Sequence, residues 1–122
     1  MVGKLVQLNI VRESLPEADV VRVSGELDIS SSPALREELT EVARGGRNVI
    51  LDLADLRFMD STGLSVIIAA LKRLRERSLD LLLCAPQPPV RRTLEICGLD
   101  EIITIRPTEA DTLDHLRSLS AG

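Results

Sequence analysis

Asp60-Ser61-Thr62-Gly63 sets a carboxylate, two hydroxyls and a glycine where the hydropathy pattern of the chain changes. Before it, Asn48-Val49-Ile50-Leu51-Asp52-Leu53 is a short apolar run that reads as a buried strand. After it, Leu64–Leu71 is apolar, too long for a strand and rich in good helix formers. The tetrapeptide therefore sits at a strand-to-helix junction. There the first helical N–H groups have no partner of their own and the helix dipole is positive. A hydroxyl at such a place can cap the helix, or it can carry a phosphate that the helix end tolerates. A second carboxylate, Asp28, closes Gly25-Glu26-Leu27-Asp28 after an earlier β-branched run.

Most enzyme chemistries find no support. A Ser-His-Asp hydrolase needs a histidine base beside its serine, and the single histidine, His115, falls in the last helical stretch. Nor does Asp60-Ser61-Thr62-Gly63 fit the G-x-S-x-G nucleophile elbow. No HExxH, cysteine cluster, EF-hand loop or Walker loop is present, so neither a metal nor another cofactor is expected. Glu26, Asp28 and Asp60 read as solvated loop carboxylates and caps rather than as a cation site. A phosphoaccepting receiver domain would need an acidic pair directly after its first strand, where Ile10-Val11-Arg12 offers none. The chain is not expected to be an enzyme.

Composition narrows the partners. A length of 122 residues predicts one domain, 1–122, and 44% hydrophobic with 28% charged residues is ordinary for a globular protein. A net charge of −4 argues against nucleic acid and acidic membranes, and a single aromatic residue, Phe58, rules out base-stacking platforms. No apolar run reaches transmembrane length. Met1-Val2-Gly3-Lys4-Leu5 leads into a strand rather than a signal peptide, which predicts a cytoplasmic protein. Cys84 and Cys97, with no CxxC spacing, are then expected as buried, reduced thiols.

The elements that must hold the junction follow from periodicity. Leu5–Val11 and Asp19–Gly25 read as strands joined across the polar connector Arg12–Ala18. Ser32-Pro33 starts a helix with Leu35, Leu39 and Val42 on its inner side, ended by Gly45-Gly46. Strand 48–53 and the helix after Ser61 come next, the latter closing on Lys72, Arg73, Arg75 and Arg77. Asp80–Ala85 is a strand, Pro86-Gln87-Pro88-Pro89 a break, and Val90–Cys97 a short helix stopped at Gly98. Glu101–Ile105 reads as the last strand, and Thr108 as the cap of a final helix carrying Leu113, Leu116 and Leu119. The result is an α/β fold with a mixed, mostly parallel sheet of about five strands and about four main helices, its first strand an antiparallel edge. Parallel neighbours would place the loops bearing Asp28 and Asp60-Ser61 at one end of the molecule.

Gly25-Glu26-Leu27-Asp28 after the second strand, with Phe58-Met59-Asp60-Ser61-Thr62-Gly63-Leu64 after the third, resembles the STAS domain family. Within it the chain is most similar to bacterial anti-sigma factor antagonists, and the resemblance covers nearly its whole length. That resemblance implies a STAS-like sheet and a phosphorylation switch. Ser61, with Thr62 as the alternative acceptor, would be phosphorylated by a partner anti-sigma factor that is also a serine kinase. The unphosphorylated form would bind that partner and release the sigma factor, and a PP2C-type phosphatase would restore the binding form. The implied docking face holds Asp28, Ser30, Asp60, Ser61 and Thr62, with Gly63, Leu64 and Ser65 at the helix start. Read without the family, one of Asp60 and Ser61 is simply the N-cap. Asp28, Ser30, Ser31 and Ser32 then cap the approach to the first helix, and Leu64–Leu71 is mostly core. A different STAS role, as a scaffold or a nucleotide- or lipid-binding subunit of a sensor complex, is the alternative.

Overall fold

The computed structural model describes residues 7–121. The order is β1 (Leu8–Ser14), β2 (Asp19–Leu27), α1 (Ser32–Ala43), β3 (Val49–Met59) and α2 (Ser61–Arg75). It continues with β4 (Leu81–Cys84), α3 (Pro88–Ile96), a 3-10 turn (Leu99–Glu101), β5 (Ile105–Arg106) and α4 (Glu109–Ala121). The strands form one sheet in sequence order, with β1 antiparallel to β2 and every later pair parallel. The helices of the three parallel steps, α1, α2 and α3, cover one face of the sheet, and α4, which follows the last strand, covers the other.

Alternation along the strands divides the core. Val21, Leu51 and Leu83 point to the larger cluster, which they share with Leu35 and Leu39 of α1, Ile67 and Leu74 of α2, and Leu94 of α3. Their chain neighbours Val20, Ile50 and Leu82 point the other way, against Leu116 and Leu113 of α4. The period of two sets the two faces of each strand, and the helices pack where it directs them. Among the described residues no helix is long and apolar enough to cross a membrane.

Several expected boundaries move. Leu5 and Val6 lie outside the described residues. The first strand continues through Arg12, Glu13 and Ser14, because pairing runs from Leu8↔Gly25 to Ser14↔Asp19. The loop is thus only Leu15–Ala18, closed by Leu15 N–H donating to the Ala18 carbonyl at 2.9 Å. β3 extends six residues beyond Leu53, to Met59. Shifts of register against β2 at Arg22/Ser24 and Gly25/Glu26 let Leu53, Leu56 and Met59 face inward at a spacing of three, which hides the strand from a period-two reading.

Pro88 and Pro89 open α3 rather than only preceding it, since a proline in the first turn leaves no helical hydrogen bond unmade. Gln87 precedes them, and its Nε2 reaches back to the Ala54 carbonyl at 2.6 Å. The expected last strand Glu101–Ile105 is mostly not a strand. Gly98, at φ +73°, reverses the chain, Ile102 N–H closes on the Leu99 carbonyl, and only Ile105–Arg106 pairs with β4. Cys84 is buried as expected, whereas Cys97 is exposed because it ends α3 at the turn into Gly98. His115 is half-buried on α4, with Nδ1 3.1 Å from the Arg106 guanidinium.

Candidate functional site

The C-terminal ends of β2 and β3 lie side by side, with Leu27 opposite Met59. The next residue along, Asp60, donates its N–H to the Leu27 carbonyl at 3.1 Å. Asp28 and Ser61 therefore flank one hydrogen-bonded junction, at the end of the sheet the topology assigned to them.

Asp60 is extended (φ −104°, ψ −172°) and caps α2, so of the two candidates it is the aspartate that does so. Its Oδ1 accepts from Thr62 N–H at 2.9 Å and Gly63 N–H at 3.3 Å. The same oxygen accepts from the Thr62 hydroxyl at 2.5 Å. The cap therefore ties up one of the two hydroxyls. Ser61 is exposed at the first helical position, and its carbonyl accepts from the exposed Ser65 hydroxyl one turn on at 3.1 Å.

Gly63 and Leu64 are buried beneath this surface, Leu64 at 5% exposure. Their place is in the floor of the site, facing β2 and β3, rather than on its outer face. A Cβ on Gly63 would lie 2.6 Å from Leu27 Cδ2 and 2.9 Å from Met59 Cγ. Only a glycine lets the helix start come this close to the strand ends. Both neighbours are buried and cannot yield, so overpacking of about 1–3 kcal/mol outweighs the roughly 1 kcal/mol of helix propensity that alanine adds. Gly63→Ala is expected to lose up to about 2 kcal/mol in urea denaturation. An unchanged midpoint would show that the junction has slack.

The Asp28 loop is a closed turn. Asp28 Oδ1 accepts from Ser30 N–H (3.0 Å), the Ser30 hydroxyl (2.8 Å) and Ser31 N–H (3.2 Å). The Ser30 hydroxyl first, then the two N–H groups, holds the Asp28 carboxyl below the usual carboxylate range, so it stays charged at neutral pH. Ser31 occupies the N-cap position of α1 but makes no side-chain cap. Its hydroxyl instead accepts from Asp28 N–H and donates to the Glu26 carbonyl, both at 2.9 Å. Ser32 is the first helical residue and is buried. The serine run thus braces the Asp28 turn more than it caps the helix.

Two apolar side chains at this end were not placed on the docking face from the sequence. Ile29, between Asp28 and Ser30, is 74% exposed, and Phe58, aligned with Glu26 across the strands, is 48% exposed. The available signal was an isoleucine in a loop of Asp and Ser, outside any helical or strand period.

A sheet end that presents one helix-start hydroxyl between two ordered carboxylates invites comparison with known proteins. The model of the STAS domain matches residues 9–112. The chain belongs to the STAS domain family. An anti-sigma F factor antagonist of Paenibacillus polymyxa is 36% identical over 103 residues, covering 83% of this chain and 88% of that one. The crystal structure of an anti-sigma factor antagonist from Mycobacterium paratuberculosis superposes with a TM-score of 0.84 at 29% identity, over 90% of this chain and 94% of that one. The anti-sigma factor antagonist SpoIIAA in its unphosphorylated form gives a TM-score of 0.78 at 25% identity, over 90% and 97% of the two chains. Across this STAS domain the two strand ends and the start of α2 form one continuous surface, on which Asp28, Ile29, Ser30, Ser61 and Ser65 stand at or near the outside.

Proposed function

We propose that this protein is an anti-sigma factor antagonist whose binding is switched by phosphorylation of Ser61. The observation that carries this reading is the difference between two adjacent hydroxyls. Ser61 is exposed at the first residue of α2, whereas the Thr62 hydroxyl is held by the Asp60 carboxylate. In the unmodified state the surface formed by Asp28, Ile29, Ser30, Ser61 and Ser65 binds an anti-sigma factor and so releases the sigma factor. That anti-sigma factor is also the serine kinase that modifies Ser61, and a PP2C-type phosphatase returns the protein to its binding form. The switch operates in the cytoplasm, on a single STAS unit spanning residues 1–122.

Electrostatics supports the scheme. A phosphoserine carries a charge of about −1.5 to −2 and sits favourably at a helix N-terminus, by about 0.3–1 kcal/mol. The fold should tolerate it. On the docking face the same charge would have to be desolvated against the partner, and an ion buried without a counter-charge costs several kcal/mol. Phosphorylation thereby removes binding and leaves folding intact.

The test is to incubate the purified protein with ATP and candidate kinase partners and to map the product by mass spectrometry. One phosphate on Ser61 is expected, absent in Ser61→Ala and retained in Thr62→Ala. A phosphate on Thr62 or elsewhere, or one that persists in Ser61→Ala, would overturn the assignment.

A further inference from the structure

At the side of the sheet away from β5, β1 pairs with β2 alone, so its other edge carries no strand. The opposite outer strand, β5, is only two residues long, which leaves β1 as the long free edge among the described residues. The ladder fixes which backbone groups lie on that edge. Before β1 the Gln7 carbonyl accepts from Glu26 N–H, and after it Leu15 N–H donates to the Ala18 carbonyl. Direction alternates along an antiparallel ladder, so the odd-numbered residues between them turn their backbone groups to β2. Leu8, Ile10, Arg12 and Ser14 turn theirs outward, and among the described residues no backbone group hydrogen-bonds to them there.

Proteins ordinarily block such an edge with a proline, a bulge, a covering helix or outward charges. β1 holds no proline, and its register against β2 is unbroken from Leu8 to Ser14. Its two charges are neutralised within the chain. Arg12 Nε donates to Glu38 Oε2 on α1 at 2.7 Å. On the other face Glu13 Oε1 lies 2.8 Å from Arg22 Nη1, and Arg22 Nε in turn donates to Glu109 Oε2 at the start of α4 at 2.6 Å. The middle of the strand is apolar. Ile10 packs on the larger core cluster, and Val11, on the opposite face, is 49% exposed.

We propose that this edge pairs antiparallel with the β1 edge of a second copy, about a two-fold axis at Val11. A two-fold axis that extends a sheet runs perpendicular to it and sets one residue of the strand against its own copy. Centred on Arg12 or Glu13, the pairing would put like charges opposite each other, which is destabilising. Centred nearer either end, it would leave outward groups without partners. Val11 is the midpoint of Leu8–Ser14, and only there does every outward group find one. Ile10 then exchanges both bonds with the partner's Arg12, and Leu8 with the partner's Ser14. At the axis the two valines form a non-hydrogen-bonded pair, Cα atoms about 4.5 Å apart, and cover each other's exposed side chains.

This self-complementarity is what selects a second copy as the occupant. The hydrogen-bond pattern and the internally paired charges both repeat under the rotation, so β1 needs no rearrangement. Two seven-residue edges bury less than the roughly 1,200 Å² of a standard interface, so the dimer forms and dissociates with concentration. It joins two five-stranded sheets and sends the two Ser61 ends in opposite directions.

Sedimentation equilibrium of the unmodified chain from about 10 μM to 1 mM should show the mass rising from one copy towards two. Val11→Lys sets two ammonium groups face to face at the axis and should weaken association about tenfold or more. Its circular-dichroism melt should match wild type, because Val11 is half exposed at the edge. The register is read by cross-linking in a Cys97→Ser background, which removes the exposed native thiol. With diamide as oxidant, Val11→Cys should join two copies about tenfold or more faster than Asn9→Cys, whose copies would stand roughly 13 Å apart along the strands, beyond disulfide reach. A wild-type chain that stays one copy at the highest concentration would overturn the proposal and leave the edge to solvent or to another protein. So would association that Val11→Lys leaves unchanged, or Asn9→Cys linking as fast as Val11→Cys. If Val11→Lys does not fold, the two cysteine variants decide the matter.

Discussion

Ser61→Asp is expected to lower affinity for the anti-sigma factor by about 100-fold or more while leaving the melting midpoint within a few degrees of wild type. The two halves of that expectation have separate causes. For folding, the new carboxylate sits at the first residue of a 15-residue helix, where the dipole favours it by about 0.3–1 kcal/mol. Ser61 is exposed and its side chain fills no part of the core, so nothing is lost by replacing it. For binding, the new carboxylate stands on the exposed face offered to the partner and must be desolvated there without a counter-charge. A penalty of several kcal/mol at the interface, at about 1.4 kcal/mol per factor of ten, gives the stated loss. Isothermal titration against the partner, with thermal melting in the same buffer, measures both. If the variant unfolds, Ser61 is a structural residue and the switch has no basis. If affinity is unchanged, the partner does not sit over Ser61.

Gly25→Ala is expected to be the more damaging substitution to the fold, costing about 3 kcal/mol or more. Gly25 stands at φ +104°, outside the regions open to residues with a side chain. A Cβ there would overlap the Gln7 carbonyl oxygen and come within 2.9 Å of its carbon, both backbone atoms that cannot rotate away. The position lies between the two register shifts that let β3 continue to Met59, next to Asp60. Urea denaturation should show the loss of stability. The variant should also bind its partner more weakly, because the strand ends that carry Asp28 and Asp60 would no longer align. A midpoint close to wild type would mean that β1 can give way at Gln7, and that the hairpin does not set the geometry of the site.

The proposed docking surface was partly legible in the residues. Asp60 and Ser61 stood out because a strand-like pattern gives way there to a helical one, and caps gather at such changes. The Asp28 turn was visible as a polar cluster after a β-branched run. Ile29 and Phe58 were not, because a single exposed apolar residue looks the same in a sequence as a buried one. The length of β3 was missed for a related reason. Register shifts replace the period of two by a spacing of three, so Ala54-Asp55 and Arg57-Phe58 read as loop although they continue the strand. At the last strand the error ran the other way. Ile102, Ile103 and Ile105 have the composition of a strand, but the left-handed Gly98 spends the chain on a turn first.

By itself the sequence determined the order of elements, the mostly parallel sheet, the strand-to-helix junction at Asp60-Ser61 and the family. Each depends on residues within a few positions of one another, where periodicity, caps and breakers act. The structure added that the Thr62 hydroxyl is tied up, by one hydrogen bond to the capping Asp60 two residues before it, a local contact whose direction the residue types leave open. It also put Gly63 and Leu64 in the floor of the site and joined Arg22 to Glu109, 87 residues away. Such pairings arise when separate strands and helices pack, and no local pattern encodes which distant side chain will come to lie within 3 Å of another.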